Sequence, residues 1–269
     1  MSVDSSQLAV IRGSAEPTLY ADINQLLEAL LSRIHDVLED RLVGVYLYGS
    51  LTTGDFDRRS SDIDLLAVAS SAVTDTEFER LRSLHSDFAR DNPEWDDRIE
   101  VAYLSRTALK TFRSETSQML VISPGEPFHW KEAGSDWLLN WYVVRESGVP
   151  LTGPPAREII APITQQEFRA SVRDYAAWWA DKIENVRKRK EQAYAILTMC
   201  RALYVHTHGE QVSKKAAAAW AARELPQWSR LIQQALTWRD AWRDEDVDHA
   251  ASSPETIRFV RFVRDLILA

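Results

Sequence analysis

The chain has 269 residues, 45% of them hydrophobic and 27% charged, which suits one large or two medium globular domains with a real core. No apolar run approaches the roughly 20 residues that a membrane span needs. The net charge of −8 and the pI of about 5.3 argue against a large polyanionic partner such as nucleic acid and are compatible with a cationic substrate.

The opening residues, MSVDSSQLAVIRGSAEPT, lack the basic-then-apolar pattern of a secretory signal. The single cysteine, Cys200, precludes an internal disulfide and fits a buried apolar position in a reducing cytoplasm. Both observations lead us to expect a cytoplasmic protein.

Residues 19–39 place Ile23, Leu26, Leu27, Leu30, Leu31, Ile34, Val37 and Leu38 on one face of an amphipathic helix. The following LVGVYLYG reads as a short strand. A polar loop holds Gly54, Asp55 and Asp57, and DIDLLAVA then gives a second strand, apolar on both faces beyond Asp64 and hence central in a sheet. Thr74 and Glu77 form a capping box for a second helix, and RIEVAYLS is a third strand with Glu100 opposite in direction to Ile99 and Val101. Within 108–152, WLLNWYVVRESG reads as a buried helix ended by Gly148, and VISPGEPFHW reads as a loop. The proline-rich PLTGPPAREIIAPIT marks a domain boundary, dividing the chain into 1–157 and 158–269.

Beyond it the pattern is helical. Thr164 and Glu167 open a helix predicted to run to about Arg189; a second ends at Gly209; Ser213, Pro226 and Ser253-Pro254 open three more. The fold class expected is α+β: an N-terminal mixed sheet with flanking helices, then an all-α bundle. Trp178, Trp220, Trp228, Trp238 and Trp242 sit at helical positions, where core packing explains most of them.

The chemistry concentrates in YLYGSLTTGDFDRRSSDIDLLAV. Residues two apart on a strand share a face, so Asp62 and Asp64 aim two carboxylates at one spot, a like-charge conflict that a hard divalent cation resolves. Mg²⁺ typically takes one or two carboxylates together with substrate phosphates. Gly49 lets the backbone approach a ligand closely, and Ser50 offers a hydroxyl and an N–H to phosphate, which a following helix N-terminus would reinforce. Glu100 is expected on a neighbouring strand, so that three carboxylates converge on one sheet face, as suits two-metal phosphoryl or nucleotidyl transfer. The plainer alternative is an Asx turn in a polar loop. Among the histidines (His35, His85, His129, His206, His208 and His249) no zinc-ligand spacing stands out, and His206 and His208 read as complements to the dipole at a helix C-terminus.

This stretch resembles the Gly-Ser, loop, Asp-x-Asp motif of the DNA polymerase β-like nucleotidyltransferases. VPLTGPPAREIIAPI, AILTMCRALYVHTHGEQVSKKAAAAWAARELP and FVRFVRDLI are further similar to the streptomycin- and spectinomycin-modifying aminoglycoside adenylyltransferases of antibiotic resistance. The resemblance implies that Asp62 and Asp64, with Glu100, form the metal site for Mg²⁺ and that Gly49 and Ser50 contact the triphosphate. It implies that Glu100 is the base that deprotonates the acceptor hydroxyl, and that Arg201 and Lys214 reach the nucleotide phosphates. Read from the sequence alone, Arg201 and Lys214 would be solvated helix-face residues. The implied function is Mg²⁺-dependent transfer of AMP from ATP to a hydroxyl of an aminoglycoside-type small molecule, releasing pyrophosphate, by a monomer with neither a nucleic-acid nor a membrane partner. The alternative is a protein or other small-molecule acceptor, or a regulatory nucleotide-binding protein.

The chain departs from the family in the segment before Arg201. There Trp178, Trp179, Asp181, Glu184 and Glu191 are available to a cationic drug, but Arg187, Lys188, Arg189 and Lys190 form a basic run. Such a run is expected at a solvated helix end near the negative pole of the dipole.

Overall fold

The computed structural model describes residues 16–241 and 250–269, so the expectations for the opening segment, Trp242 and His249 lie outside the described residues. The chain divides into two compact units. Among the described residues the first comprises 16–52 and 62–162, and the second 53–61 with the helices from 163 onward. The change of unit therefore falls five residues after the proline-rich boundary expected at 157. The loop between Ser50 and Asp62 groups largely with the helical unit.

In the first unit, helix α1 (Ala21–Leu38) buries Ile23, Leu26, Leu27, Leu30, Ile34, Val37 and Leu38, the stripe its periodicity predicts. Strand β1 (Leu42–Tyr48) follows, then β2 (Ile63–Ala69), helix α2 (Asp75–Asp91) and β3 (Ile99–Ser105). Helix α2 begins at a capping box in which the Thr74 hydroxyl accepts from the Glu77 N–H and Glu77 accepts from the Thr74 N–H. Strands β4 (Ser117–Ser123) and β5 (Glu126–Ala133), helix α3 (Leu138–Ser147) and β6 (Val149–Thr152) complete the unit. The six strands run in the order β5-β4-β3-β2-β1-β6. Only β2 and β3 are parallel, joined by the crossover through α2; the other neighbours are antiparallel. Strand β2 is thus central, and from Leu65 to Ala69 it is buried on both faces.

Two expectations are corrected. VISPGEPFHW is not a loop but the turn and flanking strands of the β4–β5 hairpin, with Gly125 at φ +79° supplying the turn. Pro124 and Gly125 hid the strands because they interrupt the alternation that identifies a strand. Strand β6 was also unforeseen. Its Pro150 is tolerated because β6 is an edge strand, paired only with β1.

The second unit holds α4 (Gln165–Lys182), α5 (Arg189–His208), α6 (Lys214–Glu224), α7 (Ser229–Ala241) and α8 (Ser253–Leu268). Helix α5 is the central member: Ile196, Leu197, Met199, Cys200, Leu203 and Val205 are all buried, and α4, α6, α7 and α8 each pack against it. Gly209 closes it in the left-handed conformation, φ +78°. Helix α4 stops at Lys182, short of the expected Arg189, and a 3₁₀ turn over Ile183–Asn185 redirects the chain. The basic run consequently lies at the start of α5, at the positive pole of the dipole and not the negative one. Two contacts offset that placement: the Lys188 N–H donates to Glu191, and the Arg189 guanidinium sits over the Trp238 ring at 5.7 Å. Among the described residues no helix is long and apolar enough to cross a membrane.

Candidate active site

The site is built on the exposed-end face of the three central strands. In register, Tyr48 on β1 pairs with Asp64 on β2, and Asp64 pairs with Glu100 on β3. Val101 opposite Ile122 places Ser123 of β4 beside Glu100. Directly opposed residues share a sheet face, so Tyr48, Asp64, Glu100 and Ser123 form one row across four strands, and Asp62 immediately precedes β2. Asp62, Asp64 and Glu100 are all half-buried, Asp64 between fully buried Ile63 and Leu65 on one strand and Glu100 between buried Ile99 and Val101 on the other.

Gly49 adjoins this row at φ +77°, and a Cβ added there would stand 1.9 Å from Asp64 Oδ2. The Asp64 carboxylate therefore lies directly against the Gly49 backbone, an approach only glycine permits. Ser50 begins a four-residue helical turn, Ser50–Thr53. The intervening loop holds an Asx turn at Asp57: its Oδ1 accepts from the Arg59 N–H at 2.8 Å, which lowers the Asp57 carboxyl below its ordinary range.

Glu100 is held at both oxygens. The Tyr48 hydroxyl donates to Oε1 at 3.2 Å and the Ser123 hydroxyl to Oε2 at 2.7 Å. Among the described residues no three His, Cys, Asp or Glu side chains are grouped so as to hold an ion.

In the helical unit, Lys214 at the first turn of α6 places its ammonium 4.2 Å from the Tyr194 ring centroid on α5. Arg201 follows Tyr194 by seven residues and so lies on the same face of α5, half-buried and with no hydrogen-bond or ion-pair partner among the described residues. Ser213 caps α6, its hydroxyl accepting from the Ala216 N–H. Beside Tyr194, Trp178 and Trp179 form an aromatic group with Tyr175, and Trp178 is 48% exposed.

Sequence reasoning did not find Tyr48, Ser123 or Arg239. The first two were hidden among apolar strand residues and in the supposed loop. The Arg239 guanidinium lies 3.5 Å from Asp55 Oδ2, and it donates to the Ser61 hydroxyl at 3.5 Å. Asp55 also accepts from the Lys215 N–H at 3.3 Å. The loop of residues 53–61 is thereby fastened to α6 and α7. Burial and then the Arg173 and Arg169 charges lower the pKa of His206 near the end of α5.

Comparison with known proteins agrees with this architecture. Residues 23–120 match the nucleotidyltransferase domain, and residues 158–265 match the C-terminal domain of aminoglycoside adenylyltransferases. An aminoglycoside (3'') (9) adenylyltransferase of Escherichia coli is 26% identical over 261 residues, covering 91% of this chain and 94% of its own. A spectinomycin 9-adenylyltransferase of Staphylococcus aureus is 24% identical over 214 residues, covering 76% of this chain and 79% of its own. The fold matches the crystal structure of the spectinomycin adenyltransferase AAD(9) from Enterococcus faecialis with ATP and spectinomycin. The TM-score is 0.72 at 16% identity, and the match covers 91% of this chain and 99% of that one. The chain is thus similar to the aminoglycoside adenylyltransferases in both parts: a nucleotidyltransferase domain over residues 23–120 is followed by their C-terminal domain over residues 158–265.

Proposed function

We propose that the protein transfers AMP from ATP to a hydroxyl of an aminoglycoside-type small molecule, streptomycin- or spectinomycin-like, with Mg²⁺ and release of pyrophosphate. The observation that carries the reading is the direct pairing of Asp64 with Glu100 on the two parallel central strands, with Gly49 closed against Asp64.

The donor set fits Mg²⁺: the carboxylate of Asp64 on β2 and that of Asp62 two residues earlier, beside a glycine that keeps backbone bulk away, leave the remaining positions to phosphate oxygens. Asp62 and Asp64 would hold the ion, and bound there it would offset the triphosphate charge and favour ionisation of the acceptor hydroxyl. Gly49 and Ser50 receive the triphosphate, Ser50 through its hydroxyl and N–H. Arg201 and Lys214 bind phosphate oxygens, the guanidinium as a fork and the ammonium as a point charge. Glu100 retains a lone pair on each oxygen beyond those given to Tyr48 and Ser123, and it accepts the proton of the attacking hydroxyl. That hydroxyl oxygen bonds to the α-phosphorus as the bond from this phosphorus to the bridging oxygen of pyrophosphate breaks. The exposed Trp178 and Tyr194 and the acidic side chains of Asp181 and Glu184 suit a cationic sugar.

The test is pyrophosphate release from ATP across a panel of aminoglycosides, together with the susceptibility of cells expressing the chain. Stimulation by streptomycin or spectinomycin supports the reading. Silence across the panel overturns the acceptor assignment and points to a protein or other acceptor. Glu100→Gln is expected to keep ATP binding and lose transfer, and normal turnover in that variant would refute the base assignment.

A further inference from the structure

We infer that Tyr48 and Ser123 are positioning residues that fix the Glu100 carboxylate for proton transfer. The inference rests on Glu100 being the base.

Glu100 stands in a row in which its neighbour on β2, Asp64, carries the same charge. Like charges on directly opposed residues repel, and the glutamate has three side-chain torsions through which to turn away. No cation counters it: among the described residues Glu100 has no ion-pair partner. Its polar partners are two hydroxyls from two different strands, one to each oxygen, at 3.2 and 2.7 Å. A hydroxyl donates to a carboxylate without neutralising it, so the pair fixes orientation and leaves the proton-accepting charge in place.

The two donors approach from opposite sides. Ser123 is the next residue in the row and needs only its short side chain. Tyr48 is paired with Asp64, one strand away, and its ring spans that strand to reach Glu100. Tyr46, two residues earlier on the same face of β1, bonds instead to the Pro154 carbonyl. The tyrosine hydroxyls of β1 are therefore individually committed, and only that of Tyr48 goes to the base. Tyr48 is 7% exposed, so its ring is itself immobilised by packing and makes a rigid strut.

The experiment uses the full chain and the acceptor giving the fastest pyrophosphate release. Tyr48→Phe and Ser123→Ala are each expected to lower kcat about tenfold, as a loosened base loses its alignment. KM for ATP and calorimetric ATP affinity should stay within about twofold, and the melting temperature should hold. Ser123→Thr, which keeps the hydroxyl, should recover most of the rate. In a Glu100→Gln background neither change should slow the residual reaction further. A crystal structure of the Tyr48→Phe/Ser123→Ala protein should show the Glu100 carboxylate displaced. Wild-type kcat in both single variants, with Glu100→Gln inactive, overturns the positioning role while leaving the base assignment standing. Parallel losses of kcat, ATP affinity and melting temperature that Ser123→Thr does not restore, or an undisplaced carboxylate, overturn it as well. An active Glu100→Gln protein overturns both.

Discussion

Gly49 and Asp64 are in such close contact that the smallest side chain on residue 49 would occupy the place of the Asp64 carboxylate, 1.9 Å from Oδ2. The glycine does two things at once: it adopts φ +77°, and it leaves room for the Asp64 carboxylate. Gly49→Ala should cost roughly 1–3 kcal/mol in stability, from the unfavourable φ and the displaced aspartate. Its larger effect should be on function, with ATP affinity in Mg²⁺ falling at least about tenfold through loss of a site worth about 1.4 kcal/mol or more. Denaturant titration and calorimetry measure the two separately, and unchanged ATP binding would refute the coupling.

Asp64→Asn keeps shape and removes charge. Metal-dependent nucleotide binding should disappear, so that calorimetric titrations of ATP with and without Mg²⁺ become indistinguishable. The melting temperature should hold or rise, because the substitution relieves the repulsion between Asp62, Asp64 and Glu100. Retention of a Mg²⁺-dependent increment in the variant would remove Asp64 from the metal site.

Arg239 ties Asp55 and Ser61, the two ends of the loop that precedes Asp62, to the helical unit. The pair is largely shielded from water, the side chains being 17% and 10% exposed. Arg239→Ala should therefore destabilise the second unit by about 2 kcal/mol, more than a surface ion pair would, because Asp55 keeps its charge without its partner. Cleavage within 53–61 by a protease should accelerate. Adding Asp55→Asn should recover part of the loss, and strict additivity of the two changes would contradict a direct interaction.

His85 provides a pH signature. It is buried, its Nε2 lies 2.8 Å from the Tyr103 hydroxyl, and burial depresses its pKa from 6.5 to about 4. In the unfolded chain the imidazole binds a proton as pH falls below about 6.5, whereas in the folded protein it resists doing so until about pH 4. The unfolded state thus holds more protons across that window, and stability falls as pH is lowered through it, by about 3 kcal/mol in total from this group. His85→Phe should flatten the curve of unfolding free energy between pH 7 and 4 by that amount. An unaltered slope would show that His85 is not its source.

Much of this molecule was legible in its residues. The stripe in α1, the capping box at Thr74, the two-sided apolar run after Asp64 and the glycine that ends α5 each encode structure within a few residues, where local sterics and periodicity decide.

What failed were elements whose identity depends on distant partners. The β4–β5 hairpin read as a loop because its turn residues broke the pattern, and β6 was missed because an edge strand containing proline gains its identity only by pairing with β1. The same limit governed the site. Sequence alone placed Asp64 and Glu100 on strands. Only the tertiary structure decided that β2 and β3 run parallel in a register bringing Asp64 beside Glu100, and that Tyr48 and Ser123 claim the Glu100 oxygens. The physical reason is range: φ/ψ preferences and side-chain alternation act over a few residues. Register and hydrogen bonds between residues 48, 100 and 123 are settled by the packing of the whole sheet.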